Sequence, residues 1–288
     1  MVKIAHMTNL ETESSTCLLE NIANNSIDIS TIEKTIQNNL KCLRERWNNG
    51  RNAYHVAVRT SMITEKYSKP NERIALIVSL LKEYGLDINS IDNYGNTPLM
   101  YVLDSIVYDW HPSETNIYLK NSYKINVGCL YVLLINGANV NIKNIHGYNI
   151  LHLMAIGGIC NHEIVAPILD ADYDINAVTP CGNTVLTLLA NHFEPATVKI
   201  EGYNETISKS SIIDYIDTLV RFGANINHQN KDGDTFLHIH LKKFKKRSNS
   251  LIIETAITLG ADISIPNKKG KTVKKLMGLS SNKRCIIC

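Results

Sequence analysis

The 288-residue chain lacks any run approaching the ~18 consecutive apolar residues of a membrane-spanning helix, so no transmembrane segment is expected. Its first residues carry Glu11 and Glu13 and no apolar stretch, so no secretory signal is expected either. Cysteine is sparse. Residues 17, 42, 129, 160 and 181 stand singly, and only Cys285 and Cys288 lie close together. That is not a disulfide framework and suits a reducing compartment, with Cys17 and Cys42 read as small buried apolar residues. Glycine-rich phosphate loops and Cys/His pairs at zinc spacing are missing, and no Ser-His-Asp or Cys-His arrangement is legible. These absences leave no catalytic residue, metal site or cofactor to expect, and the chain is read as a non-enzyme.

What is present is a ruler. Asn89, Asn141, Asn176, Asn227 and Ser264 each precede a glycine by six positions, at Gly95, Gly147, Gly182, Gly233 and Gly270. The text around the first residue reads GLDIN, GANVN, DYDIN, GANIN and GADIS. Around the second it reads DNYGNTPL, NIHGYNIL, TPCGNTVL, NKDGDTFL and NKKGKTVK. Counting an earlier glycine at Gly50, successive periods are 45, 52, 35, 51 and 37 residues. An internal repeat of this length implies units that stack to bury a shared core.

Each unit carries its own punctuation. The ruler glycines are expected in hairpin tips at positive φ. Thr97, Thr184, Thr235 and Thr272 follow two residues later, where a hydroxyl would cap the next helix. Leu80-Leu81, Leu133-Leu134 and Leu219-Val220 precede Gly85, Gly137 and Gly223, the pattern of a helix stopped by glycine. The acids of GLDIN, DYDIN and GADIS read as hairpin residues. His55, His152 and His238 each fall five residues after a ruler glycine and are expected to hydrogen-bond within the hairpin region.

The units resemble ankyrin repeats. Asn96-Thr97-Pro98-Leu99 matches the TPL opening of the first helix, and Leu151-His152 and Leu237-His238 supply the LH of TPLH. Tyr54-His55 with Ala57 marks an earlier copy. The resemblance covers roughly residues 47–280 and implies an all-α repeat solenoid of five to six helix-turn-helix units with β-hairpin loops. The expected units are about 47–91, 92–143, 144–178, 179–229 and 230–266, closed by a C-terminal cap at 267–280. Residues 1–46 are expected to form a helical cap, with capping boxes at Thr8–Glu11 and Ser30–Glu33 and an apolar stripe at Ile32, Ile36, Leu40 and Leu43. Extra residues at about 110–127 and 193–210 are expected as loops between the two helices of their units.

Charge is unevenly distributed. From His240 onward there are 12 Lys/Arg against Glu254 and Asp262, a net +10, whereas the rest of the chain has 18 against 25, a net −7. The basic end could meet an acidic partner, anionic lipid or nucleic acid, or simply form a solvated last repeat. Residues 281–288 hold Lys283-Arg284 followed by Cys285-Ile286-Ile287-Cys288. Cys, two aliphatics and one residue form a prenylation box, although Cys is not a usual final residue for it. Cys285 is the expected lipidation site, with the basic residues as a second membrane signal.

The irregular units, long insertions and Asn/Ile/Lys-rich composition resemble poxvirus ankyrin host-range proteins and the ankyrin effectors of intracellular bacteria of the Legionella type. Members of the latter can end in a basic stretch and a similar box. Both resemblances imply interception of a host protein. No LP-x-x-[IL] F-box opening is present, so sequestration or scaffolding is expected rather than a ligase-adaptor role. The expected contact residues are Asn93, Tyr94, Ile145, His146, Tyr148, Pro180, Cys181, Lys231, Asp232 and Lys268 at hairpin tips, with Trp110 and Tyr203 in the insertions. The favoured reading is a monomeric effector in the host cytoplasm, attached to a membrane by a prenyl group and taking no nucleic acid. A cytosolic or nuclear inhibitor with an inert tail is the alternative, and an enzyme with its site in the insertions a third.

Overall fold

The computed structural model describes residues 29–64, 70–103, 125–157, 159, 162–190, 209–244 and 250–278. The capping box at Thr8–Glu11, Cys17, Cys160, Trp110, Tyr203, Cys285 and most of both insertions lie outside these residues, as does the side chain of Ser30. The chain divides into two compact units, one reaching Ile145 and the other beginning at His146.

The first unit contains helices α1 (Ile29–Asn38), α2 (Leu40–Leu43), α3 (Ala53–Thr64), α4 (Pro70–Glu83) and α5 (Val127–Ile135), with a 3-10 helix at Pro98–Val102. Helix α1 packs on α4, and α4 on both α3 and α5. The stripe read from the sequence faces inward: Ile32, Ile36 and Leu43 are fully buried, and Leu40 is half-buried. They meet a core that includes Tyr54, Ile74, Ile77 and Leu81. Burying an Ile or Leu side chain stabilises by roughly 1.5–3 kcal/mol, so these residues supply the cohesion that a lone helix pair lacks.

The second unit contains α6 (Ile150–Ile156), α7 (His162–Asp170), α8 (Val185–Leu189), α9 (Lys209–Arg221), α10 (Phe236–Phe244), α11 (Ser250–Thr258) and α12 (Val273–Leu276). First helices touch first helices, α6 on α8, α8 on α10 and α10 on α12. The second helices do likewise, α7 on α9 and α9 on α11. Among the described residues β structure is limited to two isolated bridges, Leu103 with Ile125 and Pro266 with Thr272.

Helix stops follow one chemistry. Gly85 donates to the Lys82 carbonyl and Leu86 to Leu81. The same pair of bonds recurs at Gly137 and Ala138, at Gly223 and Ala224, and at Gly260 and Ala261. This is the Schellman closure, which needs a left-handed residue. Asp172 fills that slot in the unit lacking the glycine, at φ 58°.

The loops that follow are clamped to their neighbours by the ruler asparagines. Asn89 donates through Nδ2 to the Gly137 carbonyl (3.2 Å) and accepts through Oδ1 from the Asn139 amide (2.7 Å). Asn176 does the same with Gly223 and Asn225, and Asn227 with Gly260 and Asp262. The acids of the loops serve the turn itself: Asp87, Asp174 and Asp262 accept from the amides of Asn89, Asn176 and Ser264.

Three details differ from the sequence expectation. Thr97 makes no side-chain cap, because the Met100 amide donates to the Thr97 carbonyl and tightens the turn into a 3-10 helix. The ends of the insertions are helix starts. Asn126 caps α5 by accepting from the Cys129 amide at 2.8 Å, and α9 already begins at Lys209. Cys42 is half-buried, at the margin of its helix, whereas Cys129 is fully buried.

The candidate interaction face

The hairpin tips hold most of the residues read as contact positions, and their backbone is over-determined. In the tip around Gly95, the Gly95 amide donates to the Asp92 carbonyl and the Asp92 amide to the Asn96 carbonyl. The Asp92 carboxylate accepts from the Tyr94 and Asn96 amides, both at 2.8 Å. Asn230 and Asn267 repeat this from the same slot, each accepting from two amides of its own tip. Their Nδ2 groups also reach the adjacent tip: Asn230 donates to Asn183 Oδ1 and Asn267 to Asp234 Oδ1.

Adjacent tips are joined by a backbone rung. In the first unit Asn93 donates to the Asn49 carbonyl (2.8 Å) and Ile145 to Tyr94 (3.0 Å). In the second, Lys231 donates to Cys181 and Lys268 to Asp232, both at 3.0 Å. Pro180 occupies the donor position of its own tip and has no N–H to give.

The repeated histidines lock this layer to the helices. His55, His152 and His238 take an amide hydrogen at Nδ1 from Asn52, Asn149 and Thr235, so each donates from Nε2 to a carbonyl of the following hairpin region. Those acceptors are Asn96 (2.9 Å), Ala177 (3.0 Å) and Lys271 (2.9 Å). Burial holds His55 down to about 4, in keeping with a neutral ring. These are structural histidines. Asn52 and Asn149 were missed as their partners. Each stands two residues after a ruler glycine, in the slot where Thr stands elsewhere, and that spacing would have found them.

What projects from this frame is exposed. In the first unit Asn93, Tyr94 and Ile145 stand on neighbouring tips, with Tyr94 37% and Ile145 61% exposed. Behind them Tyr101 receives a bond from Arg51 (2.9 Å) and donates to Asp92 (2.8 Å); burial and the Asp92 carboxylate raise its pKa. In the second unit Pro180, Cys181, Lys231, Asp232 and Lys268 are exposed, and His146 and Tyr148 half-buried. Tyr148 sits edge-on to the His152 ring at 6.3 Å, so part of its surface is already used.

Cys181, Lys231 and Asp232 come together on a cleft of about 630 Å³, which Asn183, Asn230, Asp234, Ile239, Lys242 and Lys243 complete. Sequence reading placed Lys242 and Lys243 in a basic segment without seeing that they close a cleft. Their position depends on helix α10 packing beside α8. Among the described residues no group of three His, Cys, Asp or Glu side chains could hold a metal ion. No helix there is long and apolar enough to cross a membrane.

Clamped loops, glycine tips and stacked helix pairs define an all-α repeat solenoid. No family model matches the sequence. Its similarity lies with individual proteins. An ankyrin repeat protein of Acanthamoeba polyphaga mimivirus is 27% identical over 256 residues, covering 77% of this chain and 39% of that protein. One of Variola virus is 25% identical over 164 residues, covering 57% of this chain and 24% of the viral protein. The chain therefore spans about a quarter to two fifths of the lengths of these relatives. Among solved structures, the ankyrin repeat domain of Bcl-3, a member of the IkappaB family, superposes with a TM-score of 0.59 at 18% identity. That match covers 91% of this chain and 96% of that domain. An ankyrin repeat domain from Acinetobacter baumannii gives 0.57 at 21% identity, covering 85% and 98%. The chain has the fold of ankyrin repeat domains and is similar in sequence to ankyrin repeat proteins of two viruses.

Proposed function

We propose that the chain is a protein-interaction module that engages its partner through the hairpin tips. The supporting observation is how each tip divides its work. Backbone rungs and the Asp92, Asn230 and Asn267 side chains fix the turn, while the residues at its apex stay exposed. A fixed backbone with exposed side chains lowers the ordering cost of binding. Tyr94 and Ile145, adjacent and exposed, are the anchors of this face in the first unit, since a Tyr gives large rigid contact area.

The relatives come from two viruses, which supports a host protein as the partner and the host cytoplasm as the place of action. In this reading the chain is a monomeric virulence effector that sequesters or scaffolds its target. Where Cys288 is the final residue of the protein, Cys285 is placed to accept a prenyl group, with Lys283 and Arg284 as the accompanying basic signal. Intact mass measured after expression in host cells tests this, as does the release of Cys285→Ser from membranes. An unmodified mass overturns the lipid part alone.

The binding reading is tested by capture of the tagged chain from host-cell extract, beside a variant carrying Tyr94→Ser, Ile145→Asp and Lys231→Glu. A stoichiometric partner lost by the variant, with unchanged helicity, is the expected result. A partner retained in full contradicts the tip face.

A further inference from the structure

The cleft of the second unit has a charge pattern that selects its occupant. Its two carboxylates are not equivalent. Asp234 is buried and already committed: Oδ1 accepts from Asn267 at 2.8 Å and Oδ2 pairs with Lys242. The rim then carries two exposed lysines, Lys231 and Lys243, and one exposed carboxylate, Asp232, and Lys268, Lys269 and Lys271 follow on the adjacent exposed hairpin. Donors outnumber acceptors at the rim. Within it, Asn183 takes the Asn230 amide on its oxygen at 3.0 Å, so its own N–H₂ group remains to donate. Ile239, largely buried, is the aliphatic side chain of the lining.

We infer that this cleft binds an acidic peptide segment of the partner, in which carboxylates alternate with aliphatic side chains. The inference rests on the tip-binding reading and names the chemistry of one part of that face. Carboxylates meet Lys231, Lys243 and the Asn183 amide, and an aliphatic residue meets Ile239. Such complementarity steers association and fixes register. A nucleic acid is a poorer occupant. None of the nine lining residues carries an aromatic ring on which a base could stack, and the Asp232 carboxylate opposes a phosphate backbone. The volume falls within the roughly 300–1,000 Å³ of pockets that enclose small ligands, enough for a short segment rather than a folded surface.

The test uses the full chain and a fluorescein-labelled peptide of alternating Glu and Leu, with the Gln-for-Glu peptide as the neutral counterpart. The acidic peptide should bind and weaken steeply with salt, and the neutral one should not bind. Lys231→Glu with Lys243→Glu should lower affinity about tenfold or more, whereas Lys82→Glu, on helix α4 of the first unit, should leave it unchanged. Equal binding of both peptides, or equal binding by the cleft variant, overturns the inference. So does displacement of the acidic peptide by oligouridylate or by phosphatidylserine vesicles at lower concentration than by unlabelled peptide. If the peptide fails while the captured partner still depends on Tyr94 and Ile145, the cleft assignment falls and the tip-binding reading stands.

Discussion

Pro180 is seated directly against Gly147. A Cβ built on Gly147 would stand 2.5 Å from the Pro180 Cδ, closer than carbon atoms approach. Gly147 is also left-handed, at φ 76°. The tip whose backbone rung proline removes is thus held by close packing, and that packing requires a glycine opposite.

Gly147→Ala should therefore lose more stability than Gly223→Ala. The second site has a comparable φ of 94° but nothing within 4 Å of the added carbon. Strain alone should cost about 1–2 kcal/mol at Gly223, and Gly147 should exceed that value. Urea denaturation of the two variants compares them, and equal losses would show that Pro180 yields without cost.

Asn176 joins two loops by donating to the Gly223 carbonyl at 3.0 Å and accepting from the Asn225 amide at 2.9 Å. Asn176→Ala should cost about 1–2 kcal/mol in urea denaturation, the net value of two exposed hydrogen bonds. Asn176→Asp retains the acceptor and should lose less.

Asp172 holds φ 58° in the slot that glycine fills at 85, 137, 223 and 260. Asp172→Gly should raise stability by roughly 0.5–1 kcal/mol, because glycine adopts that conformation without a Cβ penalty. A thermal or urea midpoint that falls would show that the aspartate side chain contributes more than its backbone strain.

His55 should make stability depend on pH. Burial depresses its folded pKa from 6.5 to about 4, so the unfolded chain binds the proton more readily. The neutral ring's contribution is complete above pH 6.5 and is lost as pH falls towards 4, on the order of 3 kcal/mol in all. His240, buried between Phe236 and Phe244 and likewise held at about 4, adds a loss over the same window. His55→Gln should flatten the urea midpoint of the first unit between pH 6.5 and 4. A profile as steep as that of the parent would remove the assignment.

The sequence exposed those parts of the fold that depend on a residue's own backbone or hydrogen-bonding chemistry. A left-handed turn needs Gly147 or its equivalents, a two-ended loop clamp needs Asn176, and a buried donor-acceptor ring needs His152. Each requirement recurs with the repeat, the glycine at six positions, the asparagine at four and the histidine at three. Features that depend on two units at once left no such mark. The cleft that Lys243 closes against Cys181 arises only when helix α10 packs beside α8. Thr97 looked like its counterparts, yet the Met100 amide chose the Thr97 carbonyl over the hydroxyl.

Hydroxyl-radical footprinting of the chain with and without its captured partner tests the tip face most directly. The account predicts protection at Tyr94, Ile145 and Cys181. Ile135, Phe222 and Leu251, exposed on or just beyond the second helices of their units at 81%, 44% and 52%, should stay reactive. Protection of those three with reactive tips would contradict it and move the interface to the second helices.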